Sequence, residues 1–256
     1  MIYYAIPLRS KHTSNNWNNV CSQLKSTIES IHISGGEYSI IIAGHEKPDF
    51  LEDIAENISF IQATIPIPKN QQGYMLDKMS KKILAKNKIL STAKPGDLFM
   101  FFDADDLVAK SFYTDISKTF NENPAIDDIA LYSGYVFDYN RKKISHLDGK
   151  SKIFYKNCGS CFISKISELD IIEFDSDNSF FSSLKDHTKF PTSSIAYGRS
   201  FVALKAPITC YIVNHGSNDS AERVGTKEIE LFVDQHICKD NFLLENFRSQ
   251  FSNELF

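Results

Sequence analysis

The chain has 256 residues, 42% of them hydrophobic and 23% charged, enough apolar material to bury a core and so to exclude disorder as its main state. Its 28 Lys and Arg against 32 Asp and Glu give a net charge of -4, which argues against broad binding to nucleic-acid backbones or anionic lipid and leaves any phosphate site local. No apolar run approaches the roughly 20 residues that span a bilayer, and the N-terminal stretch lacks the layout of a secretory signal, so a cytoplasmic location is expected.

In chain order, Ile2 to Pro7 reads as a strand feeding a polar loop, Leu8 to Asn16. From Trp17, Val20, Cys21, Leu24, Ile28 and Ile31 fall at helical spacing until Gly35 and Gly36 end the run. Tyr38 to Ala43 is an Ile-rich run without polar alternation, the pattern of a strand covered on both faces, with Gly44, His45 and Glu46 at its carboxyl end. A helical segment over Phe50 to Asn57 and a strand over Ile58 to Thr64 repeat the alternation. Tyr74 to Leu90 predicts an amphipathic helix with Met75, Met79, Ile83 and Leu90 on its apolar side and Lys78, Lys81, Lys82, Lys86 and Lys88 elsewhere. After Pro95-Gly96, Leu98 to Phe102 is five apolar residues in a row, the central strand of a parallel sheet, and it runs into Asp103-Ala104-Asp105-Asp106.

A helix over Lys110 to Asn121 and a strand over Ile129 to Phe137 continue the sheet. From the basic turn at Arg141 to Lys143 the alternation fades through residues 138 to 200, before a strand at Ile208 to Val213 and a helix at Thr226 to Cys238. The whole, 1–256, reads as one α/β domain whose first half, 1–137, binds one ligand and whose second, 138–241, supplies another wall, followed by a helical tail, 242–256. In that tail Leu243, Phe247 and Phe251 form a stripe at fourfold spacing, suited to the body of the protein, a second copy or a membrane surface, with protein packing favoured. Five spread cysteines are expected reduced, and Cys158-Gly-Ser-Cys161 suits a redox dithiol or half a zinc site less well than simple packing.

Three carboxylates within four positions at the end of a buried strand repel one another, and a divalent cation is the simplest compensation. Ligands of open parallel sheets bind at the carboxyl ends of strands. Asp103 and Asp105 therefore read as a pair for Mg2+ or Mn2+, which keep coordination positions for water and phosphate oxygens, whereas Asp106 suits a cap on the next helix.

Taken together, Ile6-Pro7, the IIIAGHE run, Asp77-Lys78 with Lys81, and FMFFDADD make the chain resemble the nucleotide-sugar-dependent glycosyltransferases of the GT-A fold, in particular bacterial family 2-like enzymes. The resemblance is strongest over residues 1 to 165. It implies a Rossmann-like, mixed and mostly parallel central sheet flanked by helices. Pro7 and Arg9 would then meet the donor nucleotide, with His45 or Glu46 near the base. Asp77, Lys78 and Lys81 would reach base or diphosphate, and Asp103, Ala104 and Asp105 the metal and the diphosphate. The implied donor is a nucleoside-diphosphate sugar, most simply a UDP-sugar, and the implied acceptor a glycan or lipid-linked saccharide at the inner face of the cell membrane, in bacterial surface polysaccharide or lipooligosaccharide synthesis.

The second half departs from the commoner family pattern, which has an acidic pair as the catalytic base. Its nearest counterpart is Asp186-His187, which makes Asp186 the candidate base of an inverting transfer. Asn157 to Cys161 resembles the acceptor-side segment, with Gly159 permitting close approach of a sugar. The resemblance also offers His215 as a third metal ligand, and the polar loop 216–225 as a lid that brings Arg223 to the diphosphate. The rival readings are a nucleotide-sugar or glycan-binding module without turnover and a magnesium-dependent phosphatase with an aspartate nucleophile. The phosphatase pattern places its motif after the first strand, unlike DADDL here.

Overall fold

The computed structural model describes residues 1–52, 55–216 and 224–251. The first half alternates as the periodicity predicts: β1 (Ile2–Pro7), α1 (Trp17–Ser34), β2 (Tyr38–Gly44), β3 (Ile58–Gln62), α2 (Gln71–Leu90), β4 (Leu98–Phe101), the short β5 (Leu107–Val108), α3 (Phe112–Glu122) and β6 (Asp128–Leu131). There follow β7 (Gly134–Asp138), β8 (Lys143–Leu147), β9 (Phe162–Lys165), α4 (Glu168–Ile172), α5 (Phe180–Ser183), α6 (Phe190–Ala196), β10 (Phe201–Leu204), β11 (Thr209–Val213), α7 (Thr226–Gln235) and α8 (Asn241–Gln250).

The central sheet has seven strands in the order β10-β6-β9-β4-β1-β2-β3, and only β9 runs antiparallel to its neighbours. The mixed, mostly parallel sheet flanked by helices is thus the architecture the chain adopts. β1 is buried along its whole length and β2 over Ile40 to Gly44, as strands covered on both faces must be. A second sheet, β5-β11-β7-β8, packs beside it. Among the described residues no helix is long and apolar enough to cross a membrane.

Three expectations change. The strand expected over Ile129 to Phe137 is two strands in two sheets, β6 in the first and β7 in the second. The chain turns at Tyr132-Ser133 because Gly134 lies against the Phe154 ring, 2.4 Å from where a Cβ would stand. The helix expected at Phe50 to Asn57 is, within the described residues, a 3-10 turn at Asp49–Leu51 entered through Pro48. The fading stretch contains β9, which occupies the middle of the main sheet between β4 and β6. The tail packs on the body of the protein, the favoured reading: Phe247 and Phe251 are buried against Tyr135 of the second sheet, with ring centroids at 5.0 and 5.7 Å.

Helix α2 is rotated from the face its apolar residues suggested. Met75, Met79 and Ile83 are half-buried, whereas Asp77, Lys81, Lys82, Ala85, Lys86, Ile89 and Leu90 are buried. Asn70 caps its first turn through Gly73 N–H. The buried stripe keeps helical spacing but carries three ammonium groups. Lys86 Nζ donates to Ser182 Oγ of α5 at 2.9 Å, and burial pulls its pKa down to about 8 although Asp177 and Asp175 oppose the shift.

A lysine depressed in the folded state carries its full penalty below about pH 8, where both states are protonated. Above that the folded protein releases the proton first, so stability gains with rising pH until the unfolded lysine titrates. Lys86→Met is therefore expected to raise stability near neutral pH by about 1 kcal/mol, some 2–4 °C in Tm, and to lose that advantage towards pH 10. Melts of both proteins across this range that stay parallel would contradict the assignment.

Candidate active site

A cavity of about 270 Å³ opens at the carboxyl ends of β1 and β4, beside α2. Strand ends in a parallel sheet converge there because their crossover connections leave that edge open. Pro7, Arg9, Asp77, Lys78 and Lys81 line it from the first half, Asp103, Ala104 and Asp105 from the end of β4, and Asp186 and His215 from the second half. The structure thus brings these sequence-predicted residues to one place. His45 and Glu46 stand behind it. His45 is buried with Nε2 2.8 Å from Asp77 Oδ1. Glu46 accepts from Ser10 Oγ at 3.1 Å and from Lys11 N–H at 2.8 Å, pinning the loop after β1. Arg223 and most of the expected lid, 217–223, lie outside the described residues.

The cations of α2 are distributed among fixed partners. Lys81, 1% exposed, donates to Leu8 O at 2.8 Å and to Asp77 Oδ2 at 2.6 Å, so it ties the end of β1 to the helix. Lys78 Nζ lies 3.0 Å from Asp103 Oδ2. Lys82 is buried 5.2 Å above the Phe101 ring, and burial lowers its pKa while Asp103 pulls it back up. Burial alone would raise the Asp103 carboxyl, but Lys78 and Lys82 outweigh it and hold the group at about 2. At the far end, the Arg9 guanidinium lies 5.5 Å from the Tyr74 ring centroid and its Nε donates to Thr13 O, a flat cationic-aromatic surface at the cavity's rim.

Three neighbouring aspartates occupy three environments. Asp103 is ionised between lysines, and its N–H donates to Ser160 Oγ at 2.8 Å. Asp105 Oδ2 lies 2.7 Å from His215 Nε2. Asp106, expected as a helix cap, is instead fully buried beneath the site, accepting from Ile212 N–H at 3.2 Å and from the Cys158 thiol at 3.4 Å. Burial, then the charges of Asp105 and Asp103, push its carboxyl well up. Thr27 Oγ1 donates to the carbonyls of Ala104 and Asp106, fixing the turn between them. Cys158 and Cys161 are buried with thiols pushed well up by burial, the packing role expected of them.

The donor set fits a hard divalent ion. Asp103 Oδ1 is buried without a hydrogen-bond partner, and a Cβ at Gly159 would stand 2.9 Å from Asp103 Oδ2, so only glycine leaves that carboxylate uncovered. Among the described residues no three His, Cys, Asp or Glu groups form a ready cluster. Two carboxylates completed by water and substrate oxygens is the arrangement Mg2+ and Mn2+ favour over an all-protein cage.

On the opposite wall, Asp186 caps the 3-10 turn His187–Lys189, with Oδ1 accepting from Thr188 N–H at 3.1 Å and Oγ1 at 2.8 Å. Burial would raise its carboxyl, but these bonds and Lys189 hold it below the usual range. Sequence reasoning missed Lys82 and Tyr74 as lining residues and named His187 only as a neighbour. The signal for Lys82 was its place four residues after Lys78.

No family model matches the chain, and no curated protein matches it in sequence. Solved structures are similar in outline. For S. aureus TarS 1-349 the TM-score is 0.49 at 12% identity, over 82% of this chain and 60% of that one. For the mannosyltransferase PcManGT from Pyrobaculum calidifontis, in complex with GDP-Man and Mn2+, it is 0.48 at 10%, over 96% and 62%. For the bifunctional IspDF from Campylobacter jejuni it is 0.46 at 11%, over 80% and 49%. The chain thus spans less than two thirds of each of these proteins, and similarity at this level leaves the assignment to the residues of the site.

Asp103→Asn removes the counter-charge of two part-buried or buried lysines. In chelator-treated protein it is expected to cost roughly 2 kcal/mol near neutral pH. A depressed carboxyl contributes its stability above the unfolded value of 3.8 and loses it as pH falls towards about 2. The gap between variant and native protein in urea unfolding should therefore close over that window. A gap that stays constant down to pH 2 would show that Asp103 is not held ionised by Lys78 and Lys82.

Proposed function

We propose that the chain is a glycosyltransferase that moves a sugar from a nucleoside-diphosphate sugar, most simply a UDP-sugar, to a hydroxyl of a glycan or lipid-linked saccharide. The observation that carries this reading is the pairing, in one cavity, of the strand-end carboxylates Asp103 and Asp105 with a wall of lysines on α2. A metal-bound diphosphate is complementary to both: its oxygens complete a divalent ion's shell, and its residual charge faces ammonium groups. The rim of Arg9 and Tyr74 suits a nucleobase, and Pro7 the adjoining ribose.

Asp103 and Asp105 would hold Mn2+ or Mg2+, with His215 on Asp105 as the third protein group. When bound, the ion supplies charge neutralisation for the departing diphosphate. The residues of the chain do the rest. Lys78 and Lys82 stabilise negative charge as it builds on the leaving group. Asn157, Gly159 and the turn 185–188 form the acceptor wall. An acceptor hydroxyl presented there attacks the anomeric carbon from the side opposite the diphosphate, so the configuration inverts, and its proton passes to a base at the Asp186-His187 edge. Bacterial surface polysaccharide or lipooligosaccharide assembly at the inner face of the membrane is the setting that the family resemblance suggests.

Calorimetry with UDP and GDP tests the reading. Affinity in the presence of Mn2+ is expected to fall about 100-fold or more with EDTA or with Asp105→Ala. Unchanged affinity would remove the metal from the site. A panel of UDP- and GDP-sugars should then release nucleoside diphosphate only when a saccharide acceptor is added. Release of phosphate from simple monoesters would point to a hydrolase instead.

A further inference from the structure

One side chain of the acceptor wall has its donor committed and its acceptor open. His187 lines the cavity in the turn that Asp186 caps. Its Nδ1 lies 2.9 Å from the carbonyl oxygen of Tyr155. A carbonyl can only accept, so Nδ1 carries the ring proton, and in the neutral imidazole the lone pair is on Nε2. Among the described residues no hydrogen bond is made by Nε2, and the half-buried ring lines the cavity. The ring is braced on a second side by Phe190, whose centroid is 6.2 Å away. Tyr155 belongs to the buried 3-10 turn Phe154–Lys156, so the accepting carbonyl is itself fixed. Asp186, in contrast, spends Oδ1 on Thr188, while Oδ2 faces Lys189 at 3.7 Å. Its Oδ1 lone pairs thus shape the turn.

We propose that His187, through Nε2, is the base that takes the proton of the acceptor hydroxyl, and that Asp186 is a positioning residue that holds the turn carrying it. The assignment rests on the transferase reading and names the proton acceptor within that site. The acceptor oxygen forms its bond to the anomeric carbon as the bond from that carbon to the diphosphate oxygen breaks. The electron pair leaves with the nucleoside diphosphate. The hydroxyl proton moves to Nε2, giving an imidazolium that releases it to solvent, while Nδ1–H stays on the Tyr155 carbonyl throughout. The charged groups around the ring favour the neutral form. Burial lowers its pKa against the pull of the Tyr155 carbonyl; Lys82 and Lys78 from α2 also lower it, and Asp103 from the end of β4 raises it. Lys185, Asp186 and Lys189 flank it in its own segment.

The test uses the full chain, Mn2+ and whichever nucleotide sugar of the panel supports release. His187→Gln is expected to lower kcat about 100- to 10,000-fold while leaving UDP or GDP affinity within about threefold, which also shows that the variant folds. The acid limb of the native pH profile, inflecting below 6.5, should vanish with it, and added imidazole should restore turnover to His187→Ala. Asp186→Asn should keep the limb and lose no more than about tenfold. Independently of turnover, nitrogen NMR of the ring near neutral pH should place the proton on Nδ1. Near-native turnover of His187→Gln, or a proton found on Nε2, overturns the assignment and leaves the transferase reading standing. A native protein that neither binds nucleotide nor releases it from any donor overturns that reading, and the role of His187 falls with it even if the tautomer is as expected.

Discussion

Three ammonium groups buried along one face of α2 are the constraint around which the site is arranged. Moving an ammonium out of water costs several kcal/mol unless its protons find partners and its charge an opposite. Each lysine meets that demand in a different part of the molecule: Lys81 on Leu8 and Asp77, Lys82 over Phe101 and near Asp103, Lys86 on Ser182. The helix is therefore pinned to the end of β1, to the acidic strand and to α5 of the second half at once. An uncharged helix of the same shape could slide along the sheet, whereas this one fits only where all three are answered.

The same cations sort the aspartates. Repulsion forbids three adjacent carboxylates from all ionising in a low-dielectric site. Lys78 and Lys82 keep Asp103 charged, His215 accompanies Asp105, and Asp106, denied a cation, has its carboxyl pushed up beneath them. Environment alone thus gives the carboxyls of one sequence cluster different surroundings, two facing the cavity and one buried beneath it, the pattern by which neighbouring carboxyls take up different tasks.

The strands β1, β2, β3 and β4 and the helices α1 and α2 were legible because their apolar runs and three-and-four spacings are long enough to show, whereas the short stretch after Pro48 was not. β9 was not, since four residues, Phe-Ile-Ser-Lys, hold too little pattern to reveal a strand inserted between two others. Nor was the split at Ser133, where two apolar runs separated only by Ser133-Gly134 lie in different sheets. The acidic strand end announced Asp103 and Asp105, because charge after an apolar run demands compensation. The buried lysines did not announce themselves, because a hydropathy pattern treats Lys as surface and so set α2 on the wrong face. His45, which the resemblance placed with Glu46 near the base, stands outside the cavity lining with Nε2 on Asp77.

The position of β9 decides how the two halves share the site. It pairs with β4 along Leu98 to Met100 and with β6 along Asp128 to Ala130. The segment entering it carries Gly159, which leaves Asp103 uncovered, and Ser160, which accepts the Asp103 N–H. Just before that segment stands Tyr155, whose carbonyl fixes His187. A chain ending near residue 137 would leave the edge of β4 unpaired, Asp103 without its glycine cradle and the opposite wall of the cavity missing. The first half therefore cannot form this cavity by itself: the strand that completes the sheet is the one that joins Asp103 to the wall carrying Asn157, Gly159 and His187.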